Sequence, residues 1–146
     1  MGAPPLIAAL ERFPDLYQPS VIRRFLWRLG VVSKGADEDK RLVEAAERSM
    51  VRDQIPIDAF FHGYRGGRTD AFETQGADQA AFEEILRHYS AVNASDDYWV
   101  NNPTCSMLID EVEAIWAAIA QADDWQPLYQ KLWQIQALGQ ALKQNG

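Results

Sequence analysis

Two histidines, one cysteine and a set of acids are the groups from which catalysis or metal binding in this chain would have to be built. Glu84 and His88 stand four residues apart on a predicted helix, a spacing at which both side chains reach one cation. A helical zinc-protease site needs two histidines around its base, and a di-iron bundle needs Glu-x-x-His twice; neither pattern occurs. An ordinary pair on a helix surface is the simpler reading. Cys105 lies near a predicted helix start, where the positive end of the backbone dipole lowers a thiol pKa, yet with only two histidines in the chain a small buried or half-buried thiol is the better account. Asp110 and Glu113 share a helix face and, with Asp123 and Asp124, suggest paired carboxylates or a cation site. Acid–base work also requires an environment that pushes one carboxyl toward neutrality, and Asp123-Asp124 serve more simply to cap the following helix. The glycines of YRGGR lack the strand-turn-helix grammar of a phosphate loop, and a glycine pair stopping a helix explains them. The expectation is no catalytic residue, no bound cofactor and no metal site, with His62, His88, Cys105, Asp110 and Glu113 as the weak candidates.

The elements that would position these groups are helical. A chain of 146 residues with 47% hydrophobic content predicts one ordinary domain, residues 1–146, with a real core. One cysteine excludes an internal disulfide and a Cys-based zinc site. The apolar runs are too short for a membrane span and the N-terminus lacks a signal pattern, so a soluble cytoplasmic protein is expected. Residues 1–35 carry an excess of three basic groups, while residues 70–125 carry twelve acids against Arg87 alone. That acidic half would repel phosphates, which argues against general nucleic-acid binding.

In chain order, Leu6, Ile7, Leu10 and Phe13 predict a short helix that Pro14 ends. Pro19 and Ser20 open a second, with Val21, Ile22, Phe25, Leu26 and Leu29 as its apolar stripe and Gly30 as terminator. Arg23, Arg24 and Arg28 read as a solvated face. A third helix runs from Asp37 to about Arg52, burying Leu42, Val43, Ala46, Met50 and Val51, with Glu44 and Arg48 as an i,i+4 pair. Pro56 opens a short aromatic segment with Ile57, Phe60, Phe61 and Tyr64 toward the core, ended by Gly66-Gly67. After a loop, Asp78 to Ser90 predicts a fifth helix with Ala81, Phe82, Ile85, Leu86 and Tyr89 inward. A second long loop follows, pinned by Tyr98, Trp99 and Val100. The chain closes with a helical hairpin. Met107, Leu108, Val112, Ile115, Trp116 and Ile119 line its first arm, and Leu128, Leu132, Ile135, Leu138 and Leu142 its second, opened by Pro127. Gly139 weakens that second arm and the last residues fray. The fold class is all-α: an irregular bundle of six or seven helices with two long loops.

Three stretches carry a resemblance: LERFPDLYQPSVIRRFLWRLGV, DAFFHGYRGG and MLIDEVEAIWAAIAQADDW. They are similar to the region following the kinase-like core, and to the C-terminal helical hairpin, of the selenoprotein O (SelO, YdiU-like) family of protein adenylyltransferases. The resemblance implies an activity, transfer of AMP from ATP to protein hydroxyls with magnesium, whose glycine-rich loop, lysine and metal-binding acids have no match in this sequence. ATP and magnesium are therefore implied only for a family core absent here. The family's redox cysteine or selenocysteine near its end is also unmatched, since Cys105 stands well before the terminal KQNG.

Two expectations follow. One is a non-catalytic helical accessory module whose partner is a kinase-like catalytic domain or another protein surface, including a second copy of the chain. The other is a small helical-bundle enzyme or ligand-binding protein with an inter-helical pocket that uses His62, His88 or the Asp110/Glu113 pair.

Overall fold

Apolar side chains recurring every three or four residues fold this chain into helices throughout. The computed structural model describes residues 3–73, 76–93 and 97–143, the first three of these as backbone. Among the described residues seven α-helices form: α1 (Ala3–Leu29), α2 (Ala36–Arg52), α3 (Ile57–Gly63), α4 (Ala77–Leu86), α5 (Tyr98–Asn101), α6 (Ile109–Ala122) and α7 (Gln126–Lys143). A 3-10 turn at Arg65–Gly67 follows α3. No strand forms among the described residues, which carry one isolated antiparallel bridge between Val31 and Ala91. The architecture is all-α, as the periodicity predicts. The expected fraying of the last residues, and parts of both long connections, lie outside the described residues. The chain divides into two units, Met1–Ala94 and Ser95–Gly146.

The first unit departs from expectation at its start. Pro14 and Pro19 do not separate two helices; both lie inside the continuous α1. Each proline removes one N–H from the helical ladder and leaves a carbonyl one turn earlier without its usual donor. Residues 6–19 are all exposed, so water satisfies those carbonyls and the break is not forced. The C-terminal half of α1 is buried as predicted, through Leu26 and Leu29, with Ile22 and Phe25 packed beside them. Gly30 ends the helix at φ 70, a conformation that costs any residue with a Cβ. Arg65 presses against the same spot: its guanidinium donates to the carbonyls of Trp27 at 2.8 Å and Arg28 at 2.5 Å, and a Cβ on Gly30 would lie 2.9 Å from its Nε. A buried cation thus caps the negative end of α1.

Against this half of α1 pack α2, α3 and α4. Phe60 lies at the centre, fully buried, with ring centroids 4.9 Å from both Tyr64 and Phe82 and 5.7 Å from Phe61. Gly63 permits the connection after α3 to close over the core, since a Cβ there would fall 2.1 Å from the Phe72 ring. Val51 and Ile57, expected inward, are 77% and 56% exposed. The Glu44–Arg48 pair does not form either. Glu44 meets Lys40 at 3.9 Å, and Arg48 turns to Asp78 at 3.8 Å. Arg28 leaves the predicted solvated face, bonding Asp58 at 2.6 Å and lying 4.5 Å over the Phe61 ring. Helix α4 stops at Leu86, short of Ser90, and faces inward through Gln79, Phe82, Glu83 and Leu86 while Ala81 is exposed.

In the second unit, α6 and α7 form the predicted hairpin. Asp123 takes the left-handed conformation at φ 50, and the Asp124 carboxylate accepts the Gln126 backbone N–H at 3.0 Å, the capping role read from the pair. Trp99 is buried, but Val100 is 70% exposed and does not pin the loop. Of the stripes expected inward along the hairpin, Met107, Leu108, Val112, Trp116, Leu132 and Ile135 are exposed, while Ile115, Ile119, Leu128, Leu138 and Leu142 are half-buried. Helix α6 has no buried residue, and Trp116 and Trp133 are 68% and 67% exposed. A polar contact joins the two arms: Lys131 is 6% exposed, with its ammonium 2.5 Å from Glu111 and 3.1 Å from the Ser106 carbonyl.

Candidate functional site

Polar side chains at inward helical registers build two buried networks in the first unit. On α2 the buried face begins at Asp39 and continues through Leu42, Ala46 and Ser49. The Asp39 carboxylate accepts three hydrogen bonds, from the Ser33 hydroxyl at 2.5 Å, the Lys34 backbone N–H at 3.0 Å and the Tyr89 hydroxyl at 3.0 Å. On α4, Glu83 accepts from the Tyr64 hydroxyl at 2.9 Å and from the Gln79 amide at 3.2 Å; the same amide donates to Tyr64 at 3.0 Å. The signal in the sequence was an acid placed three residues before a core leucine, Asp39 before Leu42 and Glu83 before Leu86. A search for apolar stripes passes over it.

Burial, and hydrogen bonds to Glu83 and Asp39, push the Tyr64 and Tyr89 hydroxyls well above the ordinary tyrosine value of 10.0. Each folded-state pKa exceeds its unfolded counterpart. Stability is therefore fully present below pH 10 and is lost as pH rises from there toward the folded-state values. The expected slope is up to about 1.4 kcal/mol per pH unit per tyrosine. Chemical denaturation between about pH 9 and 11 measures it, and Tyr64→Phe or Tyr89→Phe should each halve the slope.

The five residues singled out by type are divided between the two units. His62 is half-buried at the end of α3, and His88 is exposed just past α4. Glu84, the presumed partner of His88, bonds Arg87 at 2.9 Å instead. Cys105 is half-buried before α6, with Asp110 and Glu113 exposed on that helix. Two of the five thus belong to the first unit and three to the second. Among the described residues no three His, Cys, Asp or Glu side chains gather as a metal would need.

The recesses are elsewhere. A groove of about 750 Å³ runs beside α1, with Ile22, Leu26, Trp27 and Val31 as apolar wall and Asp15, Arg23, Asp37 and Lys40 as charged edge. None of the five candidates lines it. Its innermost acid, Asp39, is taken up by three internal donors. A smaller recess of about 290 Å³ lies between α6 and α7 around Lys131. The most extensive chemical feature of the second unit is apolar: Ile109, Val112 and Trp116 on α6, and Tyr129, Leu132 and Trp133 on α7, are all exposed.

No helix among the described residues is long and apolar enough to cross a membrane. Over 142 aligned residues the chain is 30% identical to the protein nucleotidyltransferase YdiU of Gloeobacter violaceus. The match covers 85% of this chain but 29% of that protein, so the chain spans less than a third of its relative's length. It supports a distant relationship to the SelO-type nucleotidyltransferases named by the sequence resemblance. No protein-family model matches the chain. No solved structure matches it either.

Proposed function

We propose that this chain is a non-catalytic helical accessory module of a SelO-type protein nucleotidyltransferase, corresponding to its C-terminal region and docking on the kinase-like catalytic domain. The observation that carries the reading is the second unit, where a hairpin exposes Ile109, Val112 and Trp116 on one arm and Tyr129, Leu132 and Trp133 on the other, and α6 buries none of its residues. A hairpin this open gains little from its own packing, and covering the exposed face would contribute roughly 25 cal/mol for each Å² removed from water. The similarity to a YdiU protein supports the choice of a nucleotidyltransferase domain as the cover. ATP and magnesium then belong to that partner, and the complex works in the cytoplasm.

Binding of the purified chain to the catalytic region of the Gloeobacter violaceus relative, followed by calorimetry, tests this directly. The wild type should bind, and Trp116→Glu with Trp133→Glu should weaken binding at least about 30-fold, as removing central aromatic anchors does. Both side chains are exposed, so the helical signal should not change. Incubated alone with magnesium, labelled ATP and a protein substrate, the chain should incorporate no label. Absence of binding, or incorporation by the chain itself, would refute the assignment.

The groove beside α1 favours a second reading, a small ligand-binding bundle. It predicts that a small apolar fluorophore binds the first unit and that Leu26→Trp, which fills the wall, abolishes that binding. An unchanged signal in the variant would exclude the groove as the site.

A further inference from the structure

The first half of α1 carries an apolar stripe that its own unit does not cover. Leu6, Leu10, Phe13 and Tyr17 are 62%, 64%, 58% and 55% exposed, with Ile7 and Leu16 beside them at 52% and 63%. Their spacing of four, three and four is the seam spacing of paired helices. At about 100° per residue the four lie within roughly 60° of one another, and Ile22, Leu26 and Leu29, which face the core, fall on the opposite side of the helix. The stripe therefore cannot turn onto the core that the same helix serves. Phe13 and Tyr17 are already stacked, with ring centroids 5.2 Å apart, so part of the ordering that association requires is present beforehand.

We infer that this stripe pairs with the same stripe of a second copy, antiparallel and two-fold symmetric. Leu6 then faces Tyr17 of the other copy, and Leu10 faces its Phe13. Each large ring meets a smaller aliphatic side chain, where a parallel pair would set ring against ring. The antiparallel arrangement also holds the basic segment Arg23, Arg24 and Arg28 of the two copies at opposite ends, whereas a parallel one would bring like charges together. Between Leu6 and Gln18 the charges are Glu11, Arg12 and Asp15, a balance that leaves little repulsion. The six apolar side chains would bury roughly 600 Å² per copy, about 1,200 Å² in all, the lower edge of a stable interface. The pairing uses α1 alone and does not depend on the accessory role proposed for the second unit.

Sedimentation velocity of the full chain between about 1 and 100 µM tests it. A reversible dimer is expected, and Leu10→Glu with Phe13→Glu should raise its dissociation constant at least about 100-fold. Both positions are exposed, so helical content should hold, and Leu6→Glu with Tyr17→Glu provides an independent pair of changes. Orientation is read by cross-linking in a Cys105→Ala background. Chains carrying Leu6→Cys should join chains carrying Tyr17→Cys on oxidation, and neither should join its own kind. A strict monomer, a dimer indifferent to both double variants, or Leu6→Cys chains that join one another would each overturn the inference.

Discussion

Replacing Phe60 by alanine is expected to lower the unfolding free energy by about 3–5 kcal/mol. The ring is fully buried and stands within 7 Å of four others, Phe25, Phe61, Tyr64 and Phe82. Removing it opens a cavity walled by aromatic rings from α1, α3 and α4, and rigid rings collapse poorly into a void. Phe60→Leu, which restores much of the volume, should cost about 1–2 kcal/mol. Urea titration read by near-ultraviolet circular dichroism measures both. Equal effects for the two substitutions would mean that the site relaxes freely and that the aromatic cluster is not the keystone of the first unit.

Asp39→Ala is expected to cost about 3 kcal/mol, because it strands three donors at once. The Ser33 hydroxyl, the Lys34 backbone N–H and the Tyr89 hydroxyl all converge on that carboxylate, and Asp39 and Tyr89 are themselves buried. The bonds fasten three separate pieces of chain: the α1–α2 connection, the first turn of α2 and the segment after α4. That segment is also held by backbone bonds from Val32 to Ser90 and from Val92 to Gly30, both at 2.9 Å. Asp39→Asn keeps an acceptor and should cost about half as much. Because Tyr89 and Asp39 share one bond, Tyr89→Phe combined with Asp39→Ala should cost less than the sum of the single changes. Strict additivity in that cycle would show that the bond contributes nothing.

The regularity of the apolar spacing made the helices legible, most of all α2, α3, α6 and α7, whose apolar residues recur every three or four positions and whose ends carry glycine, proline or aspartate. Prolines misled at α1. Their cost is local and finite, and an exposed helix with water at its open carbonyls can absorb it. Register was the second source of error. At α4 the predicted face included Ala81, which is exposed, and passed over two polar residues, Gln79 and Glu83, that are buried beside Phe82 and Leu86. A polar side chain turns inward only when a partner from a distant segment meets it, and Tyr64 supplies that partner fifteen to nineteen residues away.

The sequence by itself determined that this protein is helical and where most helices begin and end, because those properties depend on side chains within one turn of each other. It also located the amphipathic stripes that must find cover. Which stripes are covered within each unit, and which remain open, was decided only by the tertiary structure. Burial depends on whether another element arrives on that side, so Phe60 has its neighbours while Leu10, Trp116 and Trp133 face solvent. Convergence of chemical groups follows the same logic. His62, His88, Cys105, Asp110 and Glu113 are the right types for a reactive centre, and among the described residues no three His, Cys, Asp or Glu side chains gather as a metal would need, a property that residue type alone does not fix.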